Sequence, residues 1–201
     1  MGRCCRGIFR RQHSGNREVI LIPIGKTNSF LLRDLRSRLQ SELGVRVTLS
    51  AESIPLSGSV KQLAASDILQ TIYNRYSKNF GPNVRYMGIT DVDIYLPGMN
   101  YVYDTYVENF VGAMSYRRFT GKFNRSDSNR PRLLDRTFKQ AVTTLFKVWG
   151  IPQCSTSFCI RANSRDTQEL DKKNDPLCEY CRKKWKELKE MQATSDPKAP
   201  A

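Results

Sequence analysis

Four cysteines spaced Cys154-x4-Cys159-x18-Cys178-x2-Cys181 constrain the fold more than any other feature of the 201 residues. Two short-spaced pairs can close a tetrahedral zinc with four thiolates and leave no open coordination position. Such a site is structural. Its binding energy would order segment 154–181, which shows little regular periodicity before Cys178. Two disulfides or free thiols are the alternatives.

The remaining cysteines, Cys4 and Cys5, lie in a basic stretch with Arg3, Arg6, Arg10, Arg11 and Arg17 and no acidic residue before Glu18. Residues 1–17 lack the long apolar core of a secretory signal, so the chain is expected in an intracellular, reducing compartment, where paired cysteines hold metal more often than they form disulfides. Cytoplasm is the first expectation and mitochondrion the second, because the arm has the composition of a presequence. Acylation at Gly2, Cys4 or Cys5 is disfavoured because Arg6 stands where the myristoylation pattern wants Ser or Thr. The apolar run Val19 to Ile24 is far short of the ~20 residues of a transmembrane helix.

Periodicity predicts one domain over 18–190 between a basic arm, 1–17, and a disordered tail, 191–201. Val19 to Ile24 reads as a buried strand. Leu31, Leu35, Leu39 and Leu43 mark a helix over 28–43, capped by Asn28 or Ser29 and stopped by Gly44. A strand follows over 45–49, a Pro/Ser/Gly loop over 51–58, and a second helix from Val60 to Tyr76. Val84 to Tyr95 reads as a strand bent at Thr90-Asp91, Val111 to Phe119 as another, and 120–132 as a loop. A long helix then carries Leu133, Phe138, Val142, Leu145, Phe146 and Trp149. This order implies an α/β (α+β) fold, a twisted mixed sheet packed with helices, followed by the irregular cysteine segment.

Several blocks in register resemble archaemetzincins, a metzincin-type zinc peptidase family: Pro23-Ile24-Gly25, MGITDVDIYLPGMNYVY from Met87, LLDRTFKQAV from Leu133, Gly150-Ile151-Pro152 and the four cysteines. The similarity spans roughly residues 18–185. The resemblance implies a metzincin-like fold, a four-cysteine zinc, and a catalytic zinc held by the histidines of HExxHxxGxxH. The histidine positions here hold Thr143, Lys147 and Gln153, Thr144 stands at the glutamate, and Arg161 replaces the methionine of the family's Cys-x-Met. The only histidine, His13, lies in the arm.

From this we expect one structural zinc on Cys154, Cys159, Cys178 and Cys181, no catalytic residue, and a catalytically inactive pseudo-enzyme serving as a protein-binding or scaffold module. In metzincins the substrate lies along an edge strand, and the matching segment is Gly112 to Phe119. Tyr116, Arg117 and Arg118 are therefore the expected basic edge for an acidic peptide. The formal charge of +14 favours anionic partners generally. A nucleic-acid or ribonucleoprotein assembly contacted through the arm and residues 182–189 is a second reading, with Tyr101, Tyr103, Tyr106 and Tyr116 as stacking groups. A zinc peptidase with an atypical metal site is a third. Trp185 among Lys183, Lys184, Lys186 and Lys189 reads as an anchor on a partner or membrane surface. Asp91 and Asp93 read as polar strand or turn groups and as candidate partners for Lys147. Oligomeric state is not legible.

Overall fold

A computed structural model describes residues 17–58, 60–124, 129–173 and 177–193. Residues 1–16 of the arm, with His13, Cys4 and Cys5, and the tail beyond 193 lie outside the described residues.

β1 (Glu18–Ile24) pairs in parallel with β2 (Arg46–Leu49) on one side and β4 (Val84–Thr90) on the other. A central parallel strand is covered on both faces, so its run of Val, Ile and Leu need not alternate with polar residues. β4 pairs in parallel with β8 (Val111–Ser115), which pairs antiparallel with β7 (Asp104–Val107), giving the order β2-β1-β4-β8-β7. A smaller sheet has the order β3-β5-β6, from β3 (Gln62–Ala64), β5 (Asp93–Leu96) and β6 (Met99–Val102). The stretch predicted as one strand bent at Thr90-Asp91 is thus two strands in different sheets. The two sheets are mixed, as the sequence implies.

α1 (Ser29–Leu43) begins where the Asn28 side chain accepts hydrogen bonds from the Phe30 and Leu31 amides, and ends at Gly44 with φ 64°. Its four-residue leucine spacing buries Leu31, Leu35, Leu39 and Leu43. α2 (Ala65–Tyr76) is shorter than predicted because residues 62–64 join the small sheet instead. α3 (Gly121–Asn124) is a single turn within the predicted loop, and α4 (Arg130–Val148) starts earlier than Leu133. The cause is local: the Asn129 side chain accepts from the Arg132 amide, and Pro131 suits the first helical turn. α5 (Thr167–Asp171) and α6 (Glu179–Ala193) complete the chain.

Side chains alternating along the large sheet divide the interior. Val19, Leu21, Met87, Ile89 and Met114 meet α1, α4 and α6, whereas Ile22, Ile24, Tyr86, Val111 and Ala113 meet α2. α4 lies so close to β8 that a Cβ on Gly112 would sit 2.9 Å from methyl carbons of both Thr144 and Val148. That contact fixes which face of α4 looks past the sheet. Trp185 on α6 is 4 % exposed; its indole donates to the Leu43 carbonyl at 3.0 Å and its ring lies 4.4 Å from that of Trp149. The expected surface anchor is a core residue, because the apolar face of α6 closes over the end of α1. No helix among the described residues is long and apolar enough to cross a membrane.

Candidate metal cluster and cleft

Segment 154–173 wraps from the end of α4 to α5, and α6 returns Cys178 and Cys181 beside it. The four sulfurs lie within 4.8 Å of one another, with Cys154 Sγ 3.6 Å from Cys178 Sγ and Cys159 Sγ 3.7 Å from Cys181 Sγ. These separations are far beyond the ~2.05 Å of a disulfide. They match the ~3.8 Å edge of a tetrahedron with Zn–S bonds of ~2.3 Å. The cluster could hold a metal ion, and a soft tetrahedral thiolate set suits zinc. Burial pushes the Cys159 and Cys181 thiols up. Burial also opposes the Cys178 thiolate, but the Cys181 amide and neighbouring thiols hold it down, to about 7. Holding Cys159 and Cys181 as thiolates therefore calls for a cation beside them.

Beside the cluster, a cavity of about 600 Å³ opens between the β6 to β7 connection and α4. Thr143, Lys147 and Gln140 line its α4 wall, Gly98 to Asp104 the opposite one, and Asn163, Ser164, Arg165 and Lys173 its end. Lys147 Nζ stands 3.0 Å from each Asp104 carboxylate oxygen, and Thr144 Oγ1 lies 2.9 Å from Asp104 Oδ2. The partner of Lys147 is thus Asp104; Asp93 instead receives a bidentate pair from Arg118 at 2.8 and 2.7 Å. Thr143 Oγ1 is 3.1 Å from the Lys139 carbonyl and 3.0 Å from that of Ile160. Lys173 Nζ donates to the Ile160 and Ala162 carbonyls. Burial, reinforced by Lys139 and Lys147 and opposed by Cys159, lowers Lys173 to about 8.

Of the positions that the resemblance assigns to catalytic zinc ligands, Thr143 and Lys147 share this wall, whereas Gln153 is exposed and lines a neighbouring cavity with Phe158 and Glu169. A committed hydroxyl, an ion-paired ammonium and a distant amide do not fit a zinc there. Thr144 is fully buried. Arg161 lies in the core against Cys181 rather than at the cleft.

The expected peptide edge requires correction. β8 is hydrogen-bonded on both sides, so Gly112 to Ser115 offers no free edge. Tyr116 is buried with its hydroxyl accepting from the Asn28 amide at 3.1 Å, and residues 117–119 form a 3-10 turn. Arg117 alone of the three is exposed; Arg118 lies 3.5 Å from the Tyr101 ring centroid besides its pairing with Asp93. Two outer strands border the cavity, β6 of the small sheet and β7 of the large one, whose Asp104 lines it. Tyr103 packs on Tyr101 and Phe119, which leaves Tyr106 as the exposed ring of the four tyrosines singled out. Residues 182–189 fall on α6, where Lys184 pairs with Glu187 and Lys186 with Glu190.

The model of peptidase family M54 matches residues 32–188. The chain belongs to peptidase family M54. It is similar to the archaemetzincin of Pyrococcus furiosus, 27 % identical over 184 residues that cover 84 % of this chain and 92 % of that one. The archaemetzincin of Thermococcus kodakarensis is 28 % identical over 178 residues, covering 84 % and 95 %. In fold it resembles a zinc-dependent peptidase of Methanocorpusculum labreanum, with a TM-score of 0.71 at 22 % identity over 83 % of this chain and 99 % of that one. The archaemetzincin of Methanopyrus kandleri gives 0.69 at 19 %, covering 91 % and 99 %.

Membership of M54 overturns the expectation of a chain that is not an enzyme. That expectation rested on the missing histidines, but their loss removes one metal site and does not demonstrate inactivity, and the family and these relatives are peptidases. Asp104, Gln140, Ser164, Arg165 and Lys173 went unread in the sequence. Lys147 on the inner face of an amphipathic helix does signal a nearby carboxylate, but no spacing selects Asp104.

Proposed function

We propose that this M54 chain binds an extended peptide of acidic character in the cleft beside α4, with one zinc on the four cysteines holding segment 154–181 in place. The observation that carries the reading is the cavity of about 600 Å³, lined by Lys147, Lys173 and Arg165, of which Lys147 is paired with Asp104 and Arg165 with Glu169. Its rim includes the outer strand β6, whose edge can add a peptide strand through main-chain hydrogen bonds. The net charge of +14 would speed encounter with an acidic chain.

Fluorescence anisotropy with acidic, neutral and basic peptides of equal length tests this. Acidic peptides should bind about tenfold tighter than neutral ones, the worth of one ion pair of ~1.4 kcal/mol, and the Lys147→Met and Arg165→Ala variants should lose that margin. Equal binding of all three classes would refute the reading. Mass spectrometry of the same mixtures reads whether the bound chain is cut. Metal analysis should find one zinc per chain, lost in a Cys178→Ser/Cys181→Ser variant.

A further inference from the structure

Arg161 is 1 % exposed, and the structure gives it no ordinary charge partner. Its guanidinium donates through Nη2 to the Ile151 and Pro152 carbonyls, both at 2.8 Å, and lies 4.4 Å from the centroid of the Phe146 ring. Nη1 points to Cys181 Sγ at 3.5 Å, and Nε is buried without a hydrogen-bond partner. Among the described residues no carboxylate pairs with it, whereas Arg118 and Arg136 each hold an aspartate bidentately. A guanidinium is a permanent cation. Burying one without a counter-charge is strongly unfavourable, and two carbonyls and a ring face offset only part of that.

The missing charge is supplied by the cysteine cluster. Four thiolates around a divalent zinc carry a net charge of −2, and the sulfur of Cys181 is the atom that Arg161 reaches. We infer that Arg161 is the built-in counter-ion of the four-cysteine site, a positioning residue that holds the sulfurs and damps their reactivity. This inference rests on the zinc reading above. Two effects follow from the geometry. An N–H···S bond withdraws electron density from Cys181, so the ligand is less open to oxidants and electrophiles. The two carbonyl bonds tie residues 151 and 152 down, which sets where Cys154 enters the cluster two residues later. An apolar side chain such as methionine can fill comparable space but can do neither.

The test compares native protein with Arg161→Met and Arg161→Lys, each confirmed folded by circular dichroism in excess zinc. Zinc affinity is measured by chelator competition, and zinc release is timed after addition of hydrogen peroxide. Arg161→Met should bind zinc roughly ten- to a hundredfold more weakly, as loss of outer-shell partners typically does, and release it correspondingly faster. Arg161→Lys, which keeps the charge but lacks the fork, should fall between the two. Equal affinity and equal release for native and Arg161→Met would overturn the inference. Should Arg161→Met not fold, native protein loaded with cadmium-113 decides: a guanidinium proton of Arg161 should show scalar coupling to the metal through Cys181, and a resolved but unsplit resonance overturns it. Native protein that takes up no zinc would refute the cysteine site itself, a distinct outcome from a zinc that Arg161 does not affect.

Discussion

Replacing Asp104 by asparagine should lower stability and raise affinity for acidic peptides at once. The Asp104 side chain is 11 % exposed and Lys147 is 25 % exposed, with both oxygens 3.0 Å from Nζ. Removing one partner of a fully buried pair costs about 3–5 kcal/mol, whereas an exposed pair contributes about 0–1. A pair with a quarter of its lysine in solvent belongs between these, at about 2 kcal/mol for Asp104→Asn or Lys147→Met alone. The double variant should cost no more than either single one, a coupling of about 2 kcal/mol. In a domain of this size that is roughly 4–8 °C in Tm per single variant, measured by urea and thermal unfolding with zinc saturating. The peptide response has the opposite sign, since Asp104→Asn leaves the Lys147 ammonium uncompensated at the cleft wall. Single variants within about 0.5 kcal/mol of native that add independently would show the pair to be fully screened and refute the argument.

Three further outcomes follow from the packing. Trp185→Ala should cost about 4 kcal/mol in denaturant titration, since it removes a buried indole together with its bond to the Leu43 carbonyl; a cost under about 1 kcal/mol would return Trp185 to the surface. Gly112→Ala should cost about 1–3 kcal/mol by the same assay, because its methyl would sit 2.9 Å from two α4 methyl carbons, and Val148→Ala in that background should restore part of it. Lys173, lowered from 10.5 to about 8 by burial, makes stability depend on pH. Below pH 8 both folded and unfolded states hold the proton; between about 8 and 10.5 only the unfolded state does, so this group's contribution raises stability as pH rises through that window. Native protein should therefore gain stability relative to Lys173→Met across that range, as read by unfolding at a pH series.

Much of the scaffold was legible because local rules carried it. The leucine spacing of α1 with Asn28 and Gly44, the apolar run of β1, and the two short-spaced cysteine pairs each state a geometry within a few residues. The cysteine cluster was readable for the same reason: ligand type and spacing are themselves the signal. The start of α4 was missed because Asn129 and Pro131, a cap and a first-turn proline, sit in a polar stretch that resembles a loop. Strands β6 and β7 were missed because their short polar and aromatic runs carry no clear alternation.

By itself, then, the chain determined its most strongly patterned elements, its strongly basic balance, the cysteine cluster and the loss of histidines from the family's metal positions. Tertiary structure alone decided that β8 is an interior strand rather than a peptide edge, because the partner β7 on its far side comes from a segment with no strand signal. Pairing across the chain obeys the same logic. Lys147 is joined to Asp104 43 residues away, Arg161 to Cys181 20 residues away, and Trp185 to the end of α1 142 residues away. Charge and hydrogen-bonding need can be read from a residue type, but which of several suitable groups meets that need depends on how sheets and helices stack.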